Sequence, residues 1–198
     1  MRNAWLAAWV AATACLAGRA EEKKTALIKP KMGFEEAIKP FTDLKYNYSG
    51  YVGADGRVRN DGLGCSGFTS VVLHRMRDGD NWLRHYELMV YQWYGDKAAE
   101  HFGLKKAGTF PSADLLDASK TRELLKAGKL QAGALYCFNA RKEKNGHVGF
   151  VRSGADGAIE QWHYSSIAKG LYRGDFRDWL RRSLYLAATV ELYLVPEK

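Results

Sequence analysis

Two short stretches carry the residue types that acyl-transfer chemistry needs. The first is Gly62-Leu63-Gly64-Cys65-Ser66-Gly67-Phe68, read as a loop entering a helix that starts at or just after Cys65. Glycines before the cysteine allow a close backbone approach, and the first N–H groups of a helix, which have no helical acceptor, point toward a side chain held at its start. A thiol there is expected to be biased toward thiolate, the nucleophilic form. The second stretch is Gly146-His147-Val148-Gly149-Phe150-Val151, with His147 lying 82 positions after Cys65. An imidazole works as a base when one ring nitrogen exchanges the thiol proton and a third group holds the other. His163 and Gln161 stand two apart and share one face of a strand, so either could be that third group. The backbone N–H of Cys65 is a natural donor to a developing oxyanion. A lone cysteine is also a good small core residue, so neither stretch fixes the chemistry by itself.

These residues need a helix and a sheet to bring them together. Phe68, Val71, Val72 and Met76 recur at helical spacing up to Asp78-Gly79, and Trp82, Leu83, Tyr86, Leu88, Met89 and Trp93 suggest a second long helical region over 80–102. A third helix is expected from about Ser119 to a stop at Gly128. After Gly133 the texture changes to strands. Residues 134–138, 147–151 and 158–164 read as an antiparallel meander, with a polar loop over 139–146, a short helix over 175–181 and a last strand over 188–195. Helices followed by a sheet predict an α+β domain over 41–198, preceded by a charged N-terminal arm over 21–40 with one helical turn near Phe34–Ile38. His74, His85 and His101 fall on helices without ligand spacing, so no metal site is expected, and no cofactor motif occurs.

The first 20 residues are set aside as a secretory signal: the basic start Met1-Arg2-Asn3, then an apolar run of 14 residues from Ala4 to Ala17, then small residues up to Ala20. A cut just before Cys15 would instead leave a lipid-modifiable cysteine, although Ala12-Thr13-Ala14-Cys15 lacks a large aliphatic residue at the usual place. The whole chain has a net charge of +8; without Arg2 and Arg19 it is +6, which suits an anionic envelope surface. No nucleic-acid motif accompanies the charge, and no nucleic-acid partner is expected. Cys65 and Cys137 remain after the signal, and a disulfide between them would remove the nucleophile.

Cys65-Ser66-Gly67-Phe68 followed by a helix, Leu130 to Phe138, and His147-Val148-Gly149-Phe150-Val151 together resemble the NlpC/P60 cysteine peptidases, papain-like enzymes that cleave the peptide stems of bacterial peptidoglycan. Tyr46-Asn47-Tyr48-Ser49-Gly50 is similar to the tyrosine–glycine segment of that family. The resemblance implies a papain-like fold and Cys65 as nucleophile. It implies His147 as base and acid, and His163 as orienting residue with Gln161 as the alternative. Tyr48 and Ser66 would border the substrate. It also implies an exported monomer acting on peptidoglycan peptides in the periplasm or envelope, without a cofactor. Two departures mark a divergent member: Gly64 replaces an aspartate before the nucleophile, and Ala134 stands where Gly-Asp commonly opens the strand before the histidine. The long spacing implies a helical insertion over 80–118. Two other expectations stay open, an amidase or acyltransferase-type toxin with the same triad, and an inactive papain-like module that binds wall polymer or an envelope partner.

Overall fold

The computed structural model describes residues 29–53, 55–85, 96–142, 145–182 and 189–198. The expected signal peptide, Cys15, and the apolar positions Tyr86, Leu88, Met89 and Trp93 lie outside them. The chain is α+β, with a six-stranded, wholly antiparallel sheet.

Helix α1 (Phe34–Ile38) leads through a 3-10 turn to a small hairpin of β1 (Tyr51–Val52) and β2 (Val58–Arg59). The nucleophile helix α2 (Cys65–Asp78) follows, and a 3-10 turn then covers Gly79–His85. Helix α3 (Asp96–Phe102), strand β3 (Lys105–Pro111), and helices α4 (Ser112–Leu116) and α5 (Ala118–Lys126) come next. Strands β4 (Leu135–Lys142), β5 (Asn145–Ser153), β6 (Ile159–Ser165) and β7 (Gly170–Asp175) form a meander. Helix α6 (Phe176–Arg182) and strand β8 (Thr189–Leu194) end the fold. The sheet order is β3-β8-β4-β5-β6-β7, so the last strand enters between β3 and β4 instead of adding to an edge.

Helix α2 begins because Gly64 is extended (φ −87°, ψ 172°), and it ends because Gly79 turns left-handed (φ 62°) while donating its N–H to the Arg75 carbonyl. It is buried nearly all round. Phe68, Val71, Val72, Leu73 and Met76 are at most 2% exposed, and each contributes about 2 kcal/mol by burial. Successive strand residues point to opposite sheet faces, and both faces are covered. Leu135, Cys137, Phe150, Trp162, Tyr164 and Tyr193 join α1 and α2 in one core. Tyr136, Phe138, Ala140, Val151, Ile159 and Leu192 join Leu115, Phe176 and Leu180 in the other.

Four expectations need correction. The stretch read as an N-terminal arm belongs to the core: Met32, Phe34, Ala37 and Ile38 are buried, and Phe34 packs edge-on against Trp162 with ring centroids 5.2 Å apart. The insertion is not all helical, since β3 pairs with β8 from Lys105↔Leu194 to Pro111↔Thr189. The loop expected over 139–146 is mostly strand, because β8 pairs with β4 as far as Arg141↔Thr189 and gives Asn139–Arg141 ladder partners. Strand β7 was not foreseen at all; it pairs with β6 from Glu160↔Asp175 to Ser165↔Gly170.

Candidate active site

Cys65 opens α2, and the first helical N–H to find a carbonyl is that of Phe68, which donates to Gly64 O at 3.0 Å. The N–H groups of Cys65 and Ser66 are thereby left for the sulfur, and the backbone N–H of Val148, the residue after His147, also donates to it. That last bond ties the nucleophile helix to β5. It is possible because the β5–β6 ladder stops at Phe150↔Trp162, two residues short of Val148. Cys65 opens the helix that covers one face of the sheet, whereas His147 and His163 lie on the other face, against Trp179 of α6.

His147 Nε2 and His163 Nδ1 lie 2.5 Å apart, with their rings perpendicular (interplanar angle 89°). One of these nitrogens donates and the other accepts. Trp179 of α6 lies over both rings, at 5.0 Å from His147 and 5.3 Å from His163, and Phe138 flanks them from β4. Tyr172 packs on His163 from β7 at 5.5 Å. This aromatic wall shields the imidazole–imidazole bond from water. Its electrostatic effect is to favour neutral rings: burial holds His163 down to about 4, and burial together with the charge His163 would carry holds His147 well below the ordinary histidine range.

The thiol departs from expectation. Burial pushes Cys65 above the ordinary cysteine value, and the hydrogen bonds from Val148, Ser66 and Cys65 itself pull the other way without overcoming it. The resting pair is therefore thiol and neutral imidazole. Cys65 and Cys137 are both free, with no disulfide between them. Cys137 is buried in the α2-side core, and its thiol is pushed up to about 12.

The loop before α2 is held by a weave of main chain and two asparagines. Asn47 N donates to Leu63 O at 3.0 Å, Leu63 N to Lys45 O at 2.9 Å, and Gly64 N to Gly50 O at 3.0 Å. The Asn47 amide donates to Asn60 O at 2.5 Å and accepts from Ser49 N, while Asn60 returns a bond to Ser49 O at 2.9 Å. A Cβ at position 64 would sit 2.7 Å from Tyr48 O, so glycine is required there by this close approach.

Of the residues singled out in the sequence, His147 and His163 are in direct contact, Cys65 takes a hydrogen bond from Val148, the residue after His147, and Ser66 contributes a backbone donor. Tyr48 places its carbonyl against Gly64 and leaves its side chain 67% exposed at the edge of the site. Gln161 shares the His163 face but is spent elsewhere, its amide nitrogen donating to Asp175 O at 3.0 Å. Trp179, Phe138 and Tyr172 were missed as site residues; each is an ordinary aromatic in its own element, and only tertiary packing brings them to the histidines. Among the described residues no group of His, Cys, Asp and Glu is arranged to hold a metal ion. No known protein family, curated protein or solved structure matches the chain.

Proposed function

We propose that this protein is an exported, papain-like cysteine hydrolase of the NlpC/P60 type that cleaves amide bonds in peptidoglycan stem peptides. The observation that carries the reading is a single chain of contacts: the Val148 N–H on the Cys65 sulfur, and His147, next to Val148, bound through Nε2 to His163.

With Nε2 engaged by His163, proton exchange with the sulfur runs through His147 Nδ1. As the thiol attacks a substrate carbonyl carbon, its proton passes to Nδ1, and the carbonyl oxygen becomes an oxyanion facing the N–H groups at the start of α2. His147, now imidazolium, gives that proton to the leaving amine as the C–N bond breaks, leaving a thioester on Cys65. Water then attacks the thioester with His147 again as base, and the acid product and free thiol are released. A thiol that rests protonated suits this scheme, because His147 is neutral and able to accept a proton across the neutral pH range.

Peptidoglycan as substrate rests on the resemblance of the Cys65 and His147 segments and on the basic, export-like sequence. The test is incubation of the protein, and of a Cys65→Ala variant, with muropeptides under reducing conditions, followed by mass spectrometry. New fragments made by the wild type and absent with Cys65→Ala support the reading and identify the bond. Muropeptides left intact by the wild type would remove peptidoglycan as substrate.

A further inference from the structure

Two buried polar atoms beside the site lack a hydrogen-bond partner: His163 Nε2 and Gln161 Oε1. Both belong to β6, two residues apart on the face covered by α6, and both side chains are fully buried. Alternate residues of a strand face lie about 6.8 Å apart at Cα, a gap that a glutamine amide and an imidazole can close directly by a small side-chain rotation. Tyr172 walls this space. It is the cross-strand partner of His163, and its hydroxyl would lie 2.7 Å from a Cβ built at Gly174, the cross-strand partner of Gln161.

The orientation of Gln161 is fixed by chemistry. Its amide nitrogen donates to the Asp175 carbonyl at 3.0 Å, and a flipped amide would set two carbonyl oxygens against each other there. Oε1 is therefore the end of the amide left without a partner, and it can only accept. His163 can be neutral in two ways. With its proton on Nδ1, it donates to His147 Nε2 and leaves Nε2 as a lone pair, so that two buried acceptors, two residues apart on one strand face, stay unmatched. With its proton on Nε2, it offers a donor to the waiting acceptor and receives the His147 Nε2–H at Nδ1. Each buried group then finds its complement.

We infer that Gln161 is a positioning residue that locks His163 in its Nε2–H tautomer, and through it holds His147 in the tautomer that carries its lone pair on Nδ1. Gln161 thus joins His163 in series, as the outer member of a relay Gln161–His163–His147–Cys65, and is not a substitute for it. The inference rests on the hydrolase reading for its catalytic meaning, but the tautomer itself is measurable without turnover.

The experiment is a long-range 1H–15N correlation spectrum of the histidine rings in the wild-type protein at neutral pH, repeated on Gln161→Leu. The expected wild-type result is a protonated Nε2 and a bare Nδ1 on both His163 and His147. In Gln161→Leu the spectrum is expected to show a mixture of tautomers, with kcat on a cleavable substrate falling about tenfold or more while KM stays unchanged. A wild-type His163 protonated at Nδ1 overturns the inference, needs no variant to fold, and leaves the hydrolase reading standing. Gln161→Leu with unchanged single tautomers also overturns it. The expected spectra in a protein that cleaves no amide would retain the lock and sink the hydrolase reading alone.

Discussion

Gly149 follows His147 by two residues and packs against His163, and replacing it with alanine tests the packing that brings the two histidines together. A Cβ at this position would lie 2.6 Å from His163 Cβ, 2.7 Å from Trp162 O and 2.8 Å from Phe138 Cε1. The first two are a Cβ and a backbone oxygen, neither of which can swing aside by changing rotamer, so β6 must move as a unit. Overpacking of this kind costs about 1–3 kcal/mol, and at this chain length each kcal/mol lowers the melting temperature by about 2–4 °C. The displaced group is His163, so the Nε2–Nδ1 contact stretches, and a misplacement of about 1 Å at a reacting constellation costs on the order of a hundredfold in rate. Calorimetry and steady-state kinetics on the same preparation read both effects. The control is Gly33→Ala, where nothing lies within 4 Å of the added carbon; it is expected to stay within about 0.5 kcal/mol of the wild type. A Gly149→Ala protein that melts and turns over like the wild type would refute the placement of β6 against β5.

Three further outcomes follow from the same geometry. Because the folded protein holds His163 near 4 while the unfolded chain takes up that proton around 6.5, stability is full above pH 6.5 and falls by about 3 kcal/mol as the pH drops to 4, with His147 adding loss in the same direction; urea unfolding across that range measures it, and a flat profile would contradict the burial of the pair. Trp179→Ala exposes both imidazoles to water, so NMR titration should find their pKa values moved up toward 6.5 and kcat reduced, whereas unmoved titrations would mean that the indole is not what shields them. Asn47→Ala removes the bonds to Asn60 O and Ser49 N and should cost about 1–2 kcal/mol, together with faster hydrogen exchange in the loop before Cys65; unchanged exchange would show that the main-chain bonds suffice.

What the sequence disclosed was local. The Gly64-Cys65 junction and the apolar spacing after it are written within one helix, and the meander after Gly133 within single strands, so these elements were legible. The orientation of β6 followed from period-two alternation, which put Gln161 and His163 on one face. Pairings set by distant segments were not legible. Lys105–Pro111 contains Gly108 and Pro111, poor strand residues, and is a strand only because β8 offers it a ladder. Asn139 looks like a loop residue, yet it is buried because β8 lies beside it and Glu191 accepts its amide N–H at 2.7 Å. The state of the thiol was misjudged for a similar reason: the helix start that favours thiolate is visible in the sequence, whereas the burial that outweighs it is a property of the assembled sheet.

The claim at the centre of this account is that Cys65 itself becomes acylated. Rapid mixing of excess enzyme with a muropeptide, acid quenching and intact-mass measurement tests it without reliance on steady-state rates. The account predicts a protein species heavier by the acyl portion of the stem peptide, located on Cys65, formed as the amine fragment is released and absent in Cys65→Ala. Muropeptide cleavage that proceeds at the same rate in Cys65→Ala, with no acylated protein at any time, would contradict it.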